Sequence, residues 1–306
     1  MKEKLYLVIP CYNEEEVLPE TEKRLTDKLN RMIQSGLVSE ESRMVFVDDG
    51  SKDRTWAFIK EMHEKNPYVL GIKSSRNRGH QNTLLAGLLT VKDECDMVIS
   101  LDADLQDDIE VLDEFVKQYY AGCEIVYGVR SARKTDTFFK KFTAESFYKL
   151  MNKMGVEIVY NHADYRLMGK RAIAELENFK EVNLFLRGIV PMIGFKTGVV
   201  TYERHERFAG ESKYPLKKML SFAIDGITSL SVKPIRFISA LGIILFLVSI
   251  VLLIYYIVGY FSGNTVQGWA TLVVSIWGIG GLELLAIGII GEYIGKIYLE
   301  TKERPR

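Results

Sequence analysis

The chain has 306 residues, enough for one large domain or two small ones with a core that needs no staples. Lysine plus arginine equal aspartate plus glutamate at 40 each, so no global field favours nucleic acid and any basic site must be local. The three cysteines, Cys11, Cys95 and Cys123, are odd in number and lack the short paired spacing of a zinc site, which suits reduced thiols in a cytosolic domain.

Met1 to Pro10 reads as a buried strand, and its apolar run is too short for a signal-peptide core, so the amino-terminal part is expected to stay where it is made. Over the first 130 residues, short β-rich runs alternate with amphipathic stretches, the pattern of a parallel sheet covered by helices. Candidate strands are Leu5–Pro10, Met44–Asp48, Val69–Lys73, Met97–Leu101 and Ile125–Val129, and four of these five end in loops rich in Asn, Asp, Gly or Ser. Ligands of open α/β sheets bind beyond the carboxyl ends of strands, so a site is expected along that edge.

Pro10-Cys11-Tyr12-Asn13-Glu14 follows the first strand, and Val47-Asp48-Asp49-Gly50-Ser51-Lys52-Asp53-Arg54-Thr55 follows the second. Acids and amides there can accept hydrogen bonds from base N–H groups and ribose hydroxyls. Alone, Asp-Gly-Ser is an ordinary turn and Asp53 an ordinary helix cap. The pair of loops is more specific than either. The fourth strand ends in Leu101-Asp102-Ala103-Asp104-Leu105-Gln106-Asp107. Carboxylates at i and i+2 with a side-chain carbonyl at i+4 are hard oxygen ligands, of the kind Mg²⁺ or Mn²⁺ prefers when it also grips a diphosphate. His80, His162 and His205 sit near motifs without metal spacing and read as ordinary hydrogen-bonding residues.

Further along, Leu216, Met219, Leu220, Ala223, Ile224, Ile227 and Leu230 repeat at helical spacing, which suits an amphipathic helix lying in a membrane interface. From Phe237 to Leu282 there is no charged residue. Phe237–Phe261 would span roughly 37 Å as a helix, and a second apolar stretch runs from Trp269 to about Ile290. Lys217, Lys218, Lys233 and Arg236 precede this pair, and Lys296, Lys302, Arg304 and Arg306 follow it, so the positive-inside rule puts both flanks in the cytoplasm. Glu283, inside the second stretch, is expected to face another helix or a subunit interface, because a carboxyl facing lipid is costly.

The set Pro10-x-Tyr12-Asn13-Glu14, Val47-Asp48-Asp49-Gly50-Ser51-x-Asp53-x-Thr55, Ser75-Arg76-Asn77-x-Gly79 and Asp102-Ala103-Asp104-Leu105-Gln106-Asp107 resembles the inverting glycosyltransferases of family two. Asp164-Tyr165-Arg166-Leu167-Met168, Arg207-x-x-Gly210-x-Ser212-Lys213-Tyr214 and Gly291-Glu292-Tyr293-Ile294-Gly295-Lys296-Ile297-Tyr298 resemble its polyisoprenyl-phosphate branch, which includes dolichol-phosphate mannose synthases and bactoprenol glucosyltransferases. The likeness covers nearly the whole chain, and the two-helix tail is nearest to the bactoprenol type.

That resemblance implies an α/β fold of the GT-A kind, a mostly parallel nucleotide-binding sheet with helices on both faces, followed by an interfacial helix and two transmembrane helices. The boundaries would be 1–210 for a cytoplasmic catalytic domain, 211–236 for a juxtamembrane segment and 237–306 for the anchor in the cytoplasmic membrane. The implied reaction moves a sugar from a nucleotide-sugar donor to polyisoprenyl (undecaprenyl) phosphate with inversion. UDP-glucose is the donor that the closest likeness suggests, with UDP-N-acetylglucosamine and GDP-mannose open. Pro10, Tyr12, Asn13, Glu14, Asp48, Asp49, Asn77, Asp102, Ala103, Asp104 and Arg207 would bind the donor, and Asp102, Asp104 and Gln106 a divalent cation, Mg²⁺ or Mn²⁺. Arg130, Arg133, Lys140, Lys141 and Lys213 would meet the lipid phosphate, although Arg130, Arg133, Lys134, Lys140 and Lys141 also fit a solvated helical face.

Asp164 matches the residue usually assigned as catalytic base. A phosphate monoester has a second pKa of about 6 and needs little deprotonation, so Asp164 could instead position the sugar or Arg166. Gly288 and Gly291 could pack between subunits of a homo-oligomer. A processive polysaccharide synthase should carry more membrane helices and a Gln-x-x-Arg-Trp motif, and the sequence has neither. A degenerate membrane scaffold or lipid transporter is disfavoured by the intact Asp102, Asp104, Gln106 and Arg207.

Overall fold

The computed structural model describes residues 2–131, 162–182, 184–203, 227–229, 231–261 and 268–302. Strand β1, Leu5–Cys11, is buried along its whole length, as a strand covered on both faces requires. Leu5, Leu7 and Ile9 point into one apolar layer shared with helices α1 (Leu18–Gln34) and α4 (Leu112–Tyr120), and Ile59 of α2 (Thr55–Lys65) joins it. Tyr6 and Val8 point the other way, against α3 (His80–Val91), α5 (Lys170–Leu176) and α6 (Leu186–Met192). The period-two alternation of strand side chains thus divides one strand between two cores.

Strands β2 (Arg43–Asp48), β3 (Val69–Lys73), β4 (Met97–Ser100), β5 (Ile125–Arg130), β6 (His162–Gly169) and β7 (Thr197–Tyr202) complete a seven-stranded sheet in the order β3-β2-β1-β4-β6-β5-β7. Strands β1 to β4 pair parallel, β6 runs antiparallel between β4 and β5, and β5 pairs parallel with β7. This is the expected mixed α/β, mostly parallel architecture with helices on both faces. All five expected strands form, while β6 and β7 had no counterpart in the sequence reading.

Register decides what meets at the sheet edge. Cys11 lies opposite Asp48, so the loops after β1 and β2 start side by side. Ser100 lies opposite Arg166, and because β6 is antiparallel its Asp164 comes to the edge where β4 delivers Asp102.

The two apolar stretches form helices α7 (Lys233–Phe261) and α8 (Trp269–Thr301), which contact each other. Among the described residues, Gly278–Thr301 is long and apolar enough to cross a membrane. Large apolar side chains such as Ile243, Val251, Leu284 and Ile287 stand exposed on both helices, a surface that water does not favour. Along α8 the partly buried residues Leu282, Ala286, Ile289, Tyr293, Lys296 and Glu300 recur every three or four positions and form one helical face. Glu283 falls one residue outside that face and is exposed, so no contact with α7 buries it. Most of the expected interfacial helix, residues 216–226 with 230, and the 262–267 connection lie outside the described residues.

Candidate active site

The loops after β1 and β2 are laced together. The Asp49 N–H donates to the Cys11 carbonyl at 2.9 Å, and the Asn13 N–H donates to Ser51 Oγ at 3.0 Å. Asn13 Oδ1 accepts the Lys52 N–H at 2.9 Å, and the Glu14 N–H donates to Thr55 Oγ1 at 2.9 Å. Asn13 holds φ 52°, a left-handed conformation that Asn adopts more readily than most residues. Pro10 is buried at the end of β1, while Tyr12 and Glu14 are half-buried beside the lacing.

Asp48 is buried, with one oxygen accepting the Ser51 N–H at 3.1 Å and the other, Oδ2, without a hydrogen-bond partner. The neighbouring Asp49 carboxylate accepts the Arg78 N–H at 2.7 Å and the Gly79 N–H at 2.9 Å, so it braces the loop that presents the exposed Asn77. Gly50 lets that loop come close: at φ +67° a Cβ there would lie 2.8 Å from the Asn77 nitrogen.

At the end of β4, Asp102 and Asp104 are half-buried and Ala103 and Gln106 buried. Thr21 Oγ1 of α1 donates to the Ala103 carbonyl at 2.8 Å, and Leu105 turns the chain with φ 55°. Asp104 Oδ1 accepts the Gln106 N–H at 3.2 Å. No group of three or more His, Cys, Asp or Glu gathers as a metal cage among the described residues. Two partly open carboxylates at one turn do fit Mg²⁺ or Mn²⁺, because Mg²⁺ is usually held by one or two carboxylates plus substrate phosphates.

The next residue, Asp107, ties this turn to Arg130. Its Oδ1 accepts from the Tyr202 hydroxyl at 2.6 Å and lies 3.6 Å from Arg130 Nη2, while Arg130 Nε donates to the Tyr202 oxygen at 3.2 Å. Burial and the charge of Asp102 raise the Asp107 carboxyl to about 6 against the pull of Arg130 and Tyr202. Of the expected lipid-phosphate residues, Arg130 therefore stands beside the acidic turn. Arg133, Lys140, Lys141 and Lys213, together with Arg207, lie outside the described residues.

Asp164 is surrounded by cations. Arg187 grips it with two bonds, Nη2 to Oδ2 at 3.1 Å and Nε to Oδ1 at 3.3 Å, and the buried Arg166 has Nη2 at 3.6 Å from Oδ1. His80 Nε2 stands 3.6 Å from Asp164 Oδ2 and equally 3.6 Å from Asp102 Oδ1, bridging the acidic turn and β6. Burial opposes charge on both groups, but the pairing outweighs it. The Arg187 charge, the His80 hydrogen bond and the Arg166 charge hold the Asp164 carboxyl well below the usual carboxylate range. Asp164 and Asp102 together push His80 up to about 9. A carboxylate held so firmly in its ionised form is a weak proton acceptor near neutrality.

Arg187 belongs to none of the sequence motifs, and His80 reads from the sequence only as a hydrogen-bonding residue. A signal for Arg187 was available, since it is the lone charge between Leu184 and Phe195. His80 meets Asp164 across 84 positions of chain, which no local pattern reveals.

Residues 6–177 match Glycosyl transferase family 2. The bactoprenol glucosyl transferase of Shigella phage SfX is 40% identical to this chain over 99% of its residues and 97% of the relative's length. The uncharacterized glycosyltransferase YkoT of Bacillus subtilis (strain 168) is 58% identical, covering 99% of this chain and 90% of its own. Among solved structures, the mannosyltransferase PcManGT from Pyrobaculum calidifontis in complex with GDP-Man and Mn²⁺ superposes with a TM-score of 0.51 at 14% identity, over 74% of this chain and 63% of that one, a likeness of fold.

Proposed function

The chain belongs to glycosyl transferase family 2, and from that premise we propose that it transfers glucose from UDP-glucose to a polyisoprenyl phosphate, undecaprenyl phosphate, with inversion. The observation that carries the acceptor is the 40% identity to a bactoprenol glucosyl transferase over 99% of the chain, the carboxyl-terminal helices included. The site supports it by joining a laced pair of nucleotide-type loops to an acidic turn and a set of arginines at one sheet edge.

In this reading the donor lies against Tyr12, Asn13, Glu14, Asp48 and the 76–79 loop that Asp49 braces, with its diphosphate toward Asp102 and Asp104. Asp102, Asp104 and Gln106 would hold Mg²⁺ or Mn²⁺, which when bound offsets the charge developing on the departing diphosphate. An oxygen of the lipid phosphate attacks the anomeric carbon from the face opposite the leaving group. The bond to UDP breaks, UDP leaves with the electron pair, and an α-linked donor yields a β-linked phosphosugar. The acceptor, with a second pKa of about 6, arrives largely dianionic and brings its own nucleophile. Asp164 then serves as a fixed anion that positions cations. Arg130, with Arg133, Lys140, Lys141, Lys213 and Arg207, completes the phosphate-binding set.

The catalytic unit spans 1–210, the juxtamembrane segment 211–236 and the anchor 237–306. Helices α7 and α8 cross the membrane as a hairpin whose flanks are cytoplasmic, which brings the site to the lipid phosphate. What supports this is the exposed apolar surface of both helices and the lysines and arginines on either side.

A donor panel tests the reading. Full-length protein given undecaprenyl phosphate and, in turn, radiolabelled UDP-glucose, UDP-N-acetylglucosamine and GDP-mannose should move label into the lipid phase from UDP-glucose alone. Labelling from another donor would replace the sugar while keeping the acceptor. Label that reaches the lipid phase without added lipid phosphate would count against the acceptor.

A further inference from the structure

We propose that Arg187 grips a phosphate oxygen of the acceptor, and that Asp164 is the positioning residue that holds its guanidinium ready. This rests on the acceptor reading above and assigns a residue to it. The observations are geometric. Asp102, His80, Asp164 and Arg187 form a continuous chain of contacts, at 3.6 Å, 3.6 Å and 3.1 Å between successive members. Asp102 marks the donor end of that chain, and Arg187 is its last member.

The Arg187 end is tied to the carboxyl-terminal helices. The Val182 N–H, five residues before Arg187, donates to Glu300 Oε2 of α8 at 2.7 Å. One turn earlier in α8, Lys296 Nζ donates to Ser229 Oγ at 2.9 Å. The Leu186 N–H donates to Gln81 Oε1 at 2.8 Å and fixes α6 to the helix that carries His80. The segment bearing Arg187 is therefore held between the active-site helix α3 and α8.

The chemistry agrees. Arg187 is partly exposed, with about 29% of its side chain accessible, while the carboxylate that grips it is almost closed off. A guanidinium presents its five N–H donors in a rigid fork, so a carboxylate on one edge and a phosphate on another can be served together. An arginine used only to neutralise Asp164 would repeat the charge of Arg166, which is already buried with Nη2 at 3.6 Å from Asp164 Oδ1.

The alternative is that the bridge is purely structural, and steady-state kinetics of the full-length protein separate the two. In Arg187→Gln the KM for undecaprenyl phosphate should rise by about tenfold or more, the scale of one lost charge-assisted pair. The KM for the nucleotide sugar and the affinity for UDP should stay within about twofold. Arg187→Lys keeps the charge without the fork and should recover part of the loss. It also serves as the test if Arg187→Gln does not fold. Adding Asp164→Asn to Arg187→Gln should cost little more than the worse single change, because the two act as one unit.

An unchanged KM for the lipid phosphate together with a lowered unfolding temperature would overturn the assignment in favour of a structural bridge. A rise confined to the nucleotide sugar would overturn it in favour of the donor. Absence of transfer to lipid phosphate by the unaltered protein would overturn the acceptor reading, and the assignment with it. That failure is distinguishable, because it is visible before any variant is made.

Discussion

Replacing Asp104 with Asn should cut transfer by at least about a hundredfold at saturating Mg²⁺ or Mn²⁺, the scale of losing one group that stabilises charge in the transition state. The substitution is informative because it separates charge from shape. Asp104 Oδ1 accepts the Gln106 N–H at 3.2 Å, and an amide oxygen can accept the same bond, so the turn keeps its form while one negative charge disappears. Asp104 is half-buried, so its replacement should leave the unfolding temperature nearly unchanged. The comparison is the turnover number of variant and unaltered protein, with UDP binding measured on both. Near-normal turnover with either metal would remove Asp104 from the metal and diphosphate site.

Asp164→Asn should lower activity by roughly tenfold to a hundredfold, and by the same factor at every pH between about 6 and 8. A general base gives a different profile. Its loss matters most below about pH 6, where more of the acceptor is monoanionic, and fades as the dianion takes over. The structure favours the flat profile, because Arg187, His80 and Arg166 hold Asp164 ionised and make it a weak base. The linkage sign is that of a carboxyl with a depressed folded pKa. Its stabilising contribution is fully present above the unfolded value of about 3.9 and is lost as pH falls through the lower folded value. The variant should therefore be less stable than the unaltered protein throughout the assay range, with the gap closing only in acid. Its cost could reach about 3–5 kcal/mol, because the buried Arg166 would keep its charge without a carboxylate, so activities should be compared well below the variant's unfolding midpoint. A pH profile in which the variant regains most of its activity by about pH 8 would restore the general base.

The parts of this molecule legible in the sequence are those whose physics is local. Strands β1, β2 and β4 are apolar runs because both of their faces are covered, and the polar residues just past them mark the edge where ligands bind. The loops around Asn13 and Ser51 could be suspected as a pair, and the register of Cys11 with Asp48 shows why they act as one. Strand β6 was hidden by its chemistry. Asp164 and Arg166 interrupt the apolar pattern; the Asp164 charge is tolerable because Arg166 and Arg187 stand beside it, and the Arg166 charge because Asp164 does. Strand β7 lies at the sheet edge with Val199 exposed, which weakens the pattern of a covered strand. His80 and Arg187 join the site through contacts spanning 84 and 23 positions, information that exists only after folding. Glu283 shows the opposite difficulty: its cost in lipid suggested a partner on another helix or another subunit, and within this chain it falls one residue outside the face that α8 buries.

The central claim is single displacement onto a lipid phosphate, and the structure of the product tests it most directly. Full-length protein should be incubated with UDP-glucose and undecaprenyl phosphate, and the lipid product characterised by phosphorus and proton nuclear magnetic resonance alongside the UDP released. The expected product is a β-linked polyisoprenyl phosphoglucose, formed in equal amount to UDP. An α-linked product would contradict inversion, and UDP released with free glucose and no phosphosugar would contradict transfer to the lipid altogether.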